Sequence, residues 1–277
     1  MGNLRFGLVR KWIDAVRVMD NLLVETTMST LPPEILDSIL DHLHDEPATL
    51  KTCCVVSKSW VPRTRRHLFT HVRFGIPDPP IELWKKAFPD PSNSPAHHTR
   101  TLSIFGNSVI VAADTGKSGW IRTFHNVIRL ELFHVDQATL FTLYGLSPTL
   151  RSLSLELTPF DFGLIYSFPL LEDLVLADAS GLNDVDRWNA ILPSPKLTGR
   201  LDLEACRWIH STTRRLLSLS CGLHFSEIKV MFCDEEVESV SNLVSMCSKT
   251  LENLTLFYWY PSAFPSIPMV AKISQSL

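Results

Sequence analysis

Three stretches of the chain have residue types and spacings that could do chemistry. Asp114-Thr115-Gly116-Lys117-Ser118, after the apolar run Val109 to Ala113, has the look of a phosphate-cradling loop. Leu174-Val175-Leu176-Ala177-Asp178 has the look of the strand that supplies such a loop's acidic partner. A phosphate loop needs Gly at position 111, which is Val, and a helix after Ser118, where Gly119 stands. His67 and His71 are four apart, the spacing of two metal ligands on one helix face, but no third ligand lies nearby and a basic helix end is the simpler reading. Cys53, Cys54, Cys206, Cys221, Cys233 and Cys247 contain no Cys-x-x-Cys pair, so a structural zinc site is not expected. No Gly-x-Ser-x-Gly or His-Glu-x-x-His occurs. With 10 His and 29 acidic residues, three acid–base groups can always be assembled on paper, so such a set carries no weight. The expectation is a non-enzyme: no catalytic residues, no metal and no cofactor.

Composition narrows the partners. The 277 residues are 45% hydrophobic and 20% charged, enough to bury a core and unlike a disordered chain. A net charge of −3 offers no large positive field for a phosphate backbone, so no nucleic acid partner is expected. Scattered cysteines read as free buried thiols in a reducing compartment, cytosol or nucleus. No apolar run reaches the roughly 20 residues that span a bilayer, so no membrane partner is expected. Between Met1 and Glu25, Arg5, Arg10, Lys11, Asp14, Arg17 and Asp20 interrupt every apolar stretch, which excludes a secretory signal. Phe6 stands where a myristoylation motif after Gly2 wants Ser or Thr. Leu8, Trp12, Ile13, Val16, Met19 and Leu23 fit one helical face. Residues 1–28 are therefore an N-terminal extension, either an amphipathic helix or a stretch preceding a true start at Met28.

Three zones follow. Residues 29–74 read as helices. Residues 75–98 form a connector rich in proline (Pro77, Pro79, Pro80, Pro89, Pro91, Pro95), with a short helical piece at Ile81 to Phe88. From 99 to 277 the dominant feature is a repeat of form apolar-x-x-apolar-x-apolar. Its cleanest copies begin at Val127, Leu150, Leu171 and Leu251. Phe225 opens one with other apolar residues, and the copies around Leu102 and Leu201 are weaker. The matched positions, 102, 130, 153, 174, 201, 228 and 254, step by about 21 to 28 residues, the period of leucine-rich repeats. Each alternation is a short strand with its apolar side inward. Leu140 to Tyr144, Trp188 to Leu192, Thr212 to Leu219 and Val237 to Cys247 are the expected helical returns. His134, Leu157 and Asp178 stand where the repeat consensus has Asn or Cys, so the repeats are irregular. No polar cap precedes Leu277, and a C-terminal truncation of the series is an open alternative.

In residues 29–74 the local physics predicts three helices. Ser29 and Thr30 are good caps, and Pro32 and Pro33 suit a first turn. Leu36, Ile39, Leu40 and Leu43 form one apolar stripe. Asp45 can cap a second helix opening at Pro47, and Ser57 or Ser59 a third that carries Trp60, Thr64, His67 and Leu68. Three short helices this apolar leave surface that must dock on something else.

Residues 31–69 resemble the F-box. The family pattern is Leu-Pro-x-Glu, an Ile/Leu-rich helix, a central Leu, a Val-x-x-x-Trp stretch and a closing Leu-aromatic. Here these are Leu31, Pro32, Glu34, Ile35, Leu36, Ile39, Leu40, Leu43, Leu50, Val56, Trp60, Leu68 and Phe69. Cys53-Cys54 and Ser57-Lys58-Ser59 depart from the Ala and Cys-Arg-Arg of many members. The chain is most similar to fungal F-box-like proteins with C-terminal leucine-rich repeats. The resemblance implies a fold of class α plus α/β solenoid: an N-terminal three-helix F-box followed by an irregular leucine-rich-repeat horseshoe. It also implies a substrate-recognition adaptor of an SCF-type (Skp–cullin–F-box) ubiquitin ligase. In that role Leu31, Pro32, Ile35, Leu36, Leu40, Leu43, Leu50, Val56 and Trp60 contact the Skp-family adaptor and, through it, the cullin–RING ligase. A leucine-rich scaffold acting outside ubiquitination is the alternative.

Strand residues pointing away from the core would form the recognition face for a protein substrate. Arg129, Glu131, Phe133, Asp173, Arg200, Asp202, Lys229 and Phe257 are the candidate contacts, because mixed charge with exposed aromatics suits a protein partner. The motif does not identify the substrate.

Overall fold

The computed structural model describes residues 32–75, 78, 80–106, 120–160, 162–179, 195–204, 209–217, 219, 222–258 and 269–274. The phosphate-loop look-alike at 114–118, the expected return at 188–192, the caps Ser29 and Thr30, and Leu31 lie outside them. The chain divides into two units, Met1–Asn126 and Val127–Leu277.

In the first unit, α1 (Pro33–His42), α2 (Pro47–Val56) and α3 (Val61–Leu68) precede β1 (His71–Gly75), α4 (Ile81–Ala87) and β2 (Thr101–Phe105). Proline at the start of all three opening helices supplies the fixed φ that a first turn wants. The expected side-chain caps of α2 and α3 do not form: Glu46 and Trp60 hold the cap positions without a side-chain bond. Leu40, Leu50 and Cys53 make a small buried cluster, with Leu43, Trp60 and Leu68 packed against it. A second core is aromatic. Trp84 meets Phe69 and Phe74 edge to face at 5.5 and 5.7 Å. Its indole N–H, which needs a partner once buried, donates to Ser94 Oγ at 3.2 Å. β1 and β2 pair in parallel, Val72 opposite Leu102 and Phe74 opposite Ile104, all four buried.

The second unit carries β3 (Arg129–Phe133), β4 (Ser152–Glu156), β5 (Asp173–Ala177), β6 (Arg200–Glu204), β7 (Glu227–Phe232) and β8 (Asn253–Tyr258), each parallel to the next. β9 (Met269–Ser274) pairs antiparallel with β8. Leu130, Leu153, Leu174, Leu201, Ile228 and Leu254 stand in one register row, and all are buried. Helices α5 (Gln137–Leu143), α6 (Phe162–Tyr166), α7 (Ile209–Leu217) and α8 (Val237–Cys247) occupy the connections. Asp136 caps α5 by accepting the Thr139 N–H at 2.8 Å. The chain leaves β3, β4 and β5 by one repeated step: His134, Leu157 and Asp178 have φ of 54°, 49° and 45°. That step aims each N–H at the next strand, onto the carbonyls of Glu156, Ala177 and Glu204 at 2.8 to 3.0 Å. These are the positions where the consensus Asn is missing; Asn tolerates this left-handed conformation best, so the backbone keeps the step without the favoured residue.

The expected fold class is overturned. Among the described residues the chain is α/β, with parallel strands β1–β2 in the first unit and β3 to β8 in the second and helices between strands, not a three-helix F-box followed by an irregular leucine-rich-repeat horseshoe. β1 is the decisive element. It arises inside the segment read as helical, and α1, α2 and α3 share their compact unit with a parallel strand pair. Apolar alternation identifies strands and their inward faces, but any parallel sheet with one helix-covered face produces it, so period alone does not fix the architecture.

Candidate functional site

Two surfaces of different character emerge, one in each unit. In the first unit, the large apolar side chains left exposed among the described residues are Ile35 and Ile39 on α1 and Val55 and Val56 on α2, each between 43% and 60% accessible. Ile35 and Ile39 are one turn apart and lie on the same strip of helix. Leaving such side chains half in water forgoes roughly 1 kcal/mol each of burial energy, which a partner surface would recover. The expected adaptor contacts divide here. Pro32, Ile35 and Val56 are exposed, while Leu36, Leu43 and Trp60 are half-buried. Leu40 and Leu50 are interior, and what they supply is the packing beneath the surface.

An ion cluster fixes that surface. Asp41 on α1 accepts from Arg63 through both carboxylate oxygens, Nε lying 2.7 Å from Oδ1, and His67 Nε2 lies 2.7 Å from the same Oδ1. His67 is thus committed to Asp41, and no metal-ligating group of three forms among the described residues. The Arg63 guanidinium hydrogen bonds hold the Asp41 carboxyl down to about 2, with His67 contributing. A carboxyl lowered from 3.8 stabilises the fold above pH ~4, and that stability is lost as pH falls towards 2. The Asp41 side chain is 41% exposed, so solvent screening reduces the contribution to about 1 kcal/mol. Asp41→Asn is therefore expected to lower stability by about 1 kcal/mol at pH 7 and by almost nothing at pH 2. Urea titrations of both proteins across that range check this, and a difference that stays constant with pH would refute it.

In the second unit the polar side chains of β5 to β7 form an ion network. Asp202 on β6 binds Arg200, two residues away on the same strand, and Lys229, its register partner on β7, at 3.5 Å. Lys229 also pairs with Glu204, and Arg200 Nε lies 3.8 Å from Glu227. Asp173 accepts the Arg200 backbone N–H at 2.8 Å. Gly199 makes that approach possible, because a Cβ there would sit 2.0 Å from Asp173 Oδ1. Among the described residues four carboxylates thus lie around two cations, an acidic excess. Lys229 also lies 5.5 Å from the centre of the Phe257 ring, within cation–π range. Arg129 and Glu131 pair at 2.9 Å on β3.

Of the predicted recognition residues, Asp173, Arg200, Asp202 and Lys229 come together, with Phe257 beside Lys229. Arg129, Glu131 and Phe133 are on β3, where Arg129 pairs with Glu131. Asp202 alternates outward by sequence, yet its side chain is only 4% exposed, and its Oδ1 has no hydrogen-bond partner. Glu204 and Glu227, which the alternation also places on the outward face but which are not among the candidate contacts, complete the network, and Gly199 is the residue that sequence reasoning missed. The register adds what alternation leaves open, setting Glu227 opposite Arg200.

Among the described residues no helix is long and apolar enough to cross a membrane. No protein-family model matches the chain, and no curated protein matches it in sequence.

Proposed function

We propose that the chain is a substrate-recognition adaptor of an SCF-type ubiquitin ligase, docking a Skp-family adaptor through α1 to α3 and a target protein through the polar strand face of the second unit. The observation that carries this reading is the F-box-like order of residues 31–69 combined with where the first unit leaves its large apolar side chains exposed. In the first unit, the large apolar side chains exposed among the described residues are on α1 and α2, within that motif. The protein performs no bond chemistry in this role. It raises the effective concentration of a target near a charged ubiquitin-conjugating enzyme, which gains rate without a catalytic group of its own. The acidic excess around Arg200 and Lys229 favours a target segment carrying basic side chains.

The test is a pull-down of the full chain with purified Skp-type adaptor, beside Ile35→Asp plus Ile39→Asp. These positions are exposed, so the variant keeps its fold, whereas charge at the buried Leu40 would disrupt the core. Capture by the parent with at least tenfold loss in the variant is expected. Absence of capture by the folded parent would rule the adaptor role out and leave an interaction scaffold acting outside ubiquitination.

A further inference from the structure

The first unit holds a half-open cleft of about 300 Å³, lined by apolar side chains that include Leu68, Val72, Trp84 and Phe88, and by Lys51, His71, Arg73 and Asp78. The volume is at the lower end of small-molecule sites, and the arrangement is the usual one for them: apolar walls and few polar groups. The lysine and the arginine differ. Arg73 is occupied, with Asp78 at 3.2 Å and the Phe105 ring 4.8 Å from its guanidinium carbon. Lys51, on α2, has no carboxylate within ion-pairing distance among the described residues. Partial burial lowers its affinity for a proton, and no acid offsets that effect.

A partly desolvated ammonium without an acid beside it is unfavourable unless an anion supplies the missing charge. The apolar lining asks for an apolar body. We infer that this cleft binds a hydrophobic monocarboxylate, its chain or ring among Leu68, Val72, Trp84 and Phe88 and its carboxylate on Lys51 Nζ. The site involves neither the exposed strip of α1 nor the ion network of the second unit, and it is probed on the chain without any adaptor or target present.

Octanoate and octan-1-ol serve as probes, matched in chain length and differing in the head group. Calorimetric titration of the full chain is expected to show octanoate binding about tenfold more tightly than octan-1-ol, the contribution of one charge-assisted hydrogen bond. Lys51→Gln should bring octanoate down to the level of the alcohol while leaving the alcohol unchanged. Ala87→Trp, which places a ring in the cleft from α4, should abolish both. A second readout, thermal melting without ligand, verifies that each variant is folded. Equal binding of the two probes by the parent, no binding of either, or an octanoate affinity untouched by Lys51→Gln would each overturn the assignment.

Discussion

Replacing Gly75 by alanine should cost about 3 kcal/mol, a very large effect for one added methyl group. Gly75 ends β1 with φ of +111°, a conformation L side chains rarely adopt. Space is also closed: a Cβ would sit 1.9 Å from the Phe105 carbonyl oxygen, on the paired strand β2. Neither obstacle is the far end of a flexible side chain, so the β1–β2 pairing itself must shift. Gly145→Ala is the control. Its φ is +68° but nothing lies within 4 Å of the added methyl, so only the backbone preference is lost, about 1 kcal/mol. Thermal and guanidinium unfolding of the two variants separate strain from collision. Similar costs for both would show that β2 yields easily and that the close approach is unimportant.

Leu153→Ala is the second large effect, expected to destabilise by about 2 to 5 kcal/mol. Leu153 is completely buried in β4, between Leu130 and Leu174 in register, both completely buried as well. Neighbouring strands on both sides hold the walls of the resulting cavity apart, which favours the upper half of that range. Ser152→Ala and Ser154→Ala, one residue to either side, should change stability by no more than about 0.5 kcal/mol. Denaturant midpoints at unchanged slope would measure all three. A large cost at either serine, or a small one at Leu153, would mean that the two faces of β4 are assigned the wrong way round.

That pair of outcomes marks what was legible in the sequence. Alternation locates β2 to β8 and their inward leucines, because a strand with one packed face writes its period directly into residue type. β1 was not legible. His71-Val72-Arg73-Phe74 alternates too, but it is short, lacks leucine and follows a helix without a break, so it reads as that helix's tail. Missing it led to the wrong fold class. β9 lies outside the repeat pattern and pairs antiparallel, so the period does not announce it.

Site residues were legible to a different degree. Alternation assigns Asp202 to the polar face, yet accessibility there depends on which side chains lie across it, and Arg200 and Lys229 both close on its carboxylate. The α1 stripe has the same ambiguity. Spacing gathers Leu36, Ile39, Leu40 and Leu43 on one side, but only packing separates Leu40 as core from Ile39 as surface. Lys51 and the cleft had no sequence signal at all, since the walls come from α3, β1 and α4 and meet only in the folded unit.

The chain-order pairing of β3 to β8 also shapes how the second unit acquires its structure. Each new strand closes a loop of modest and nearly constant length: Leu153 to Leu174 is 21 residues, and Leu174 to Leu201 is 27. Closure entropy grows only with the logarithm of loop length, so these two steps differ by about 0.2 kcal/mol. No pairing has a kinetic head start from connectivity. The order of assembly is therefore left to the side chains, and the first contacts to persist should be those that bury most apolar surface at once, among the doubly flanked leucines of β4, β5 and β6.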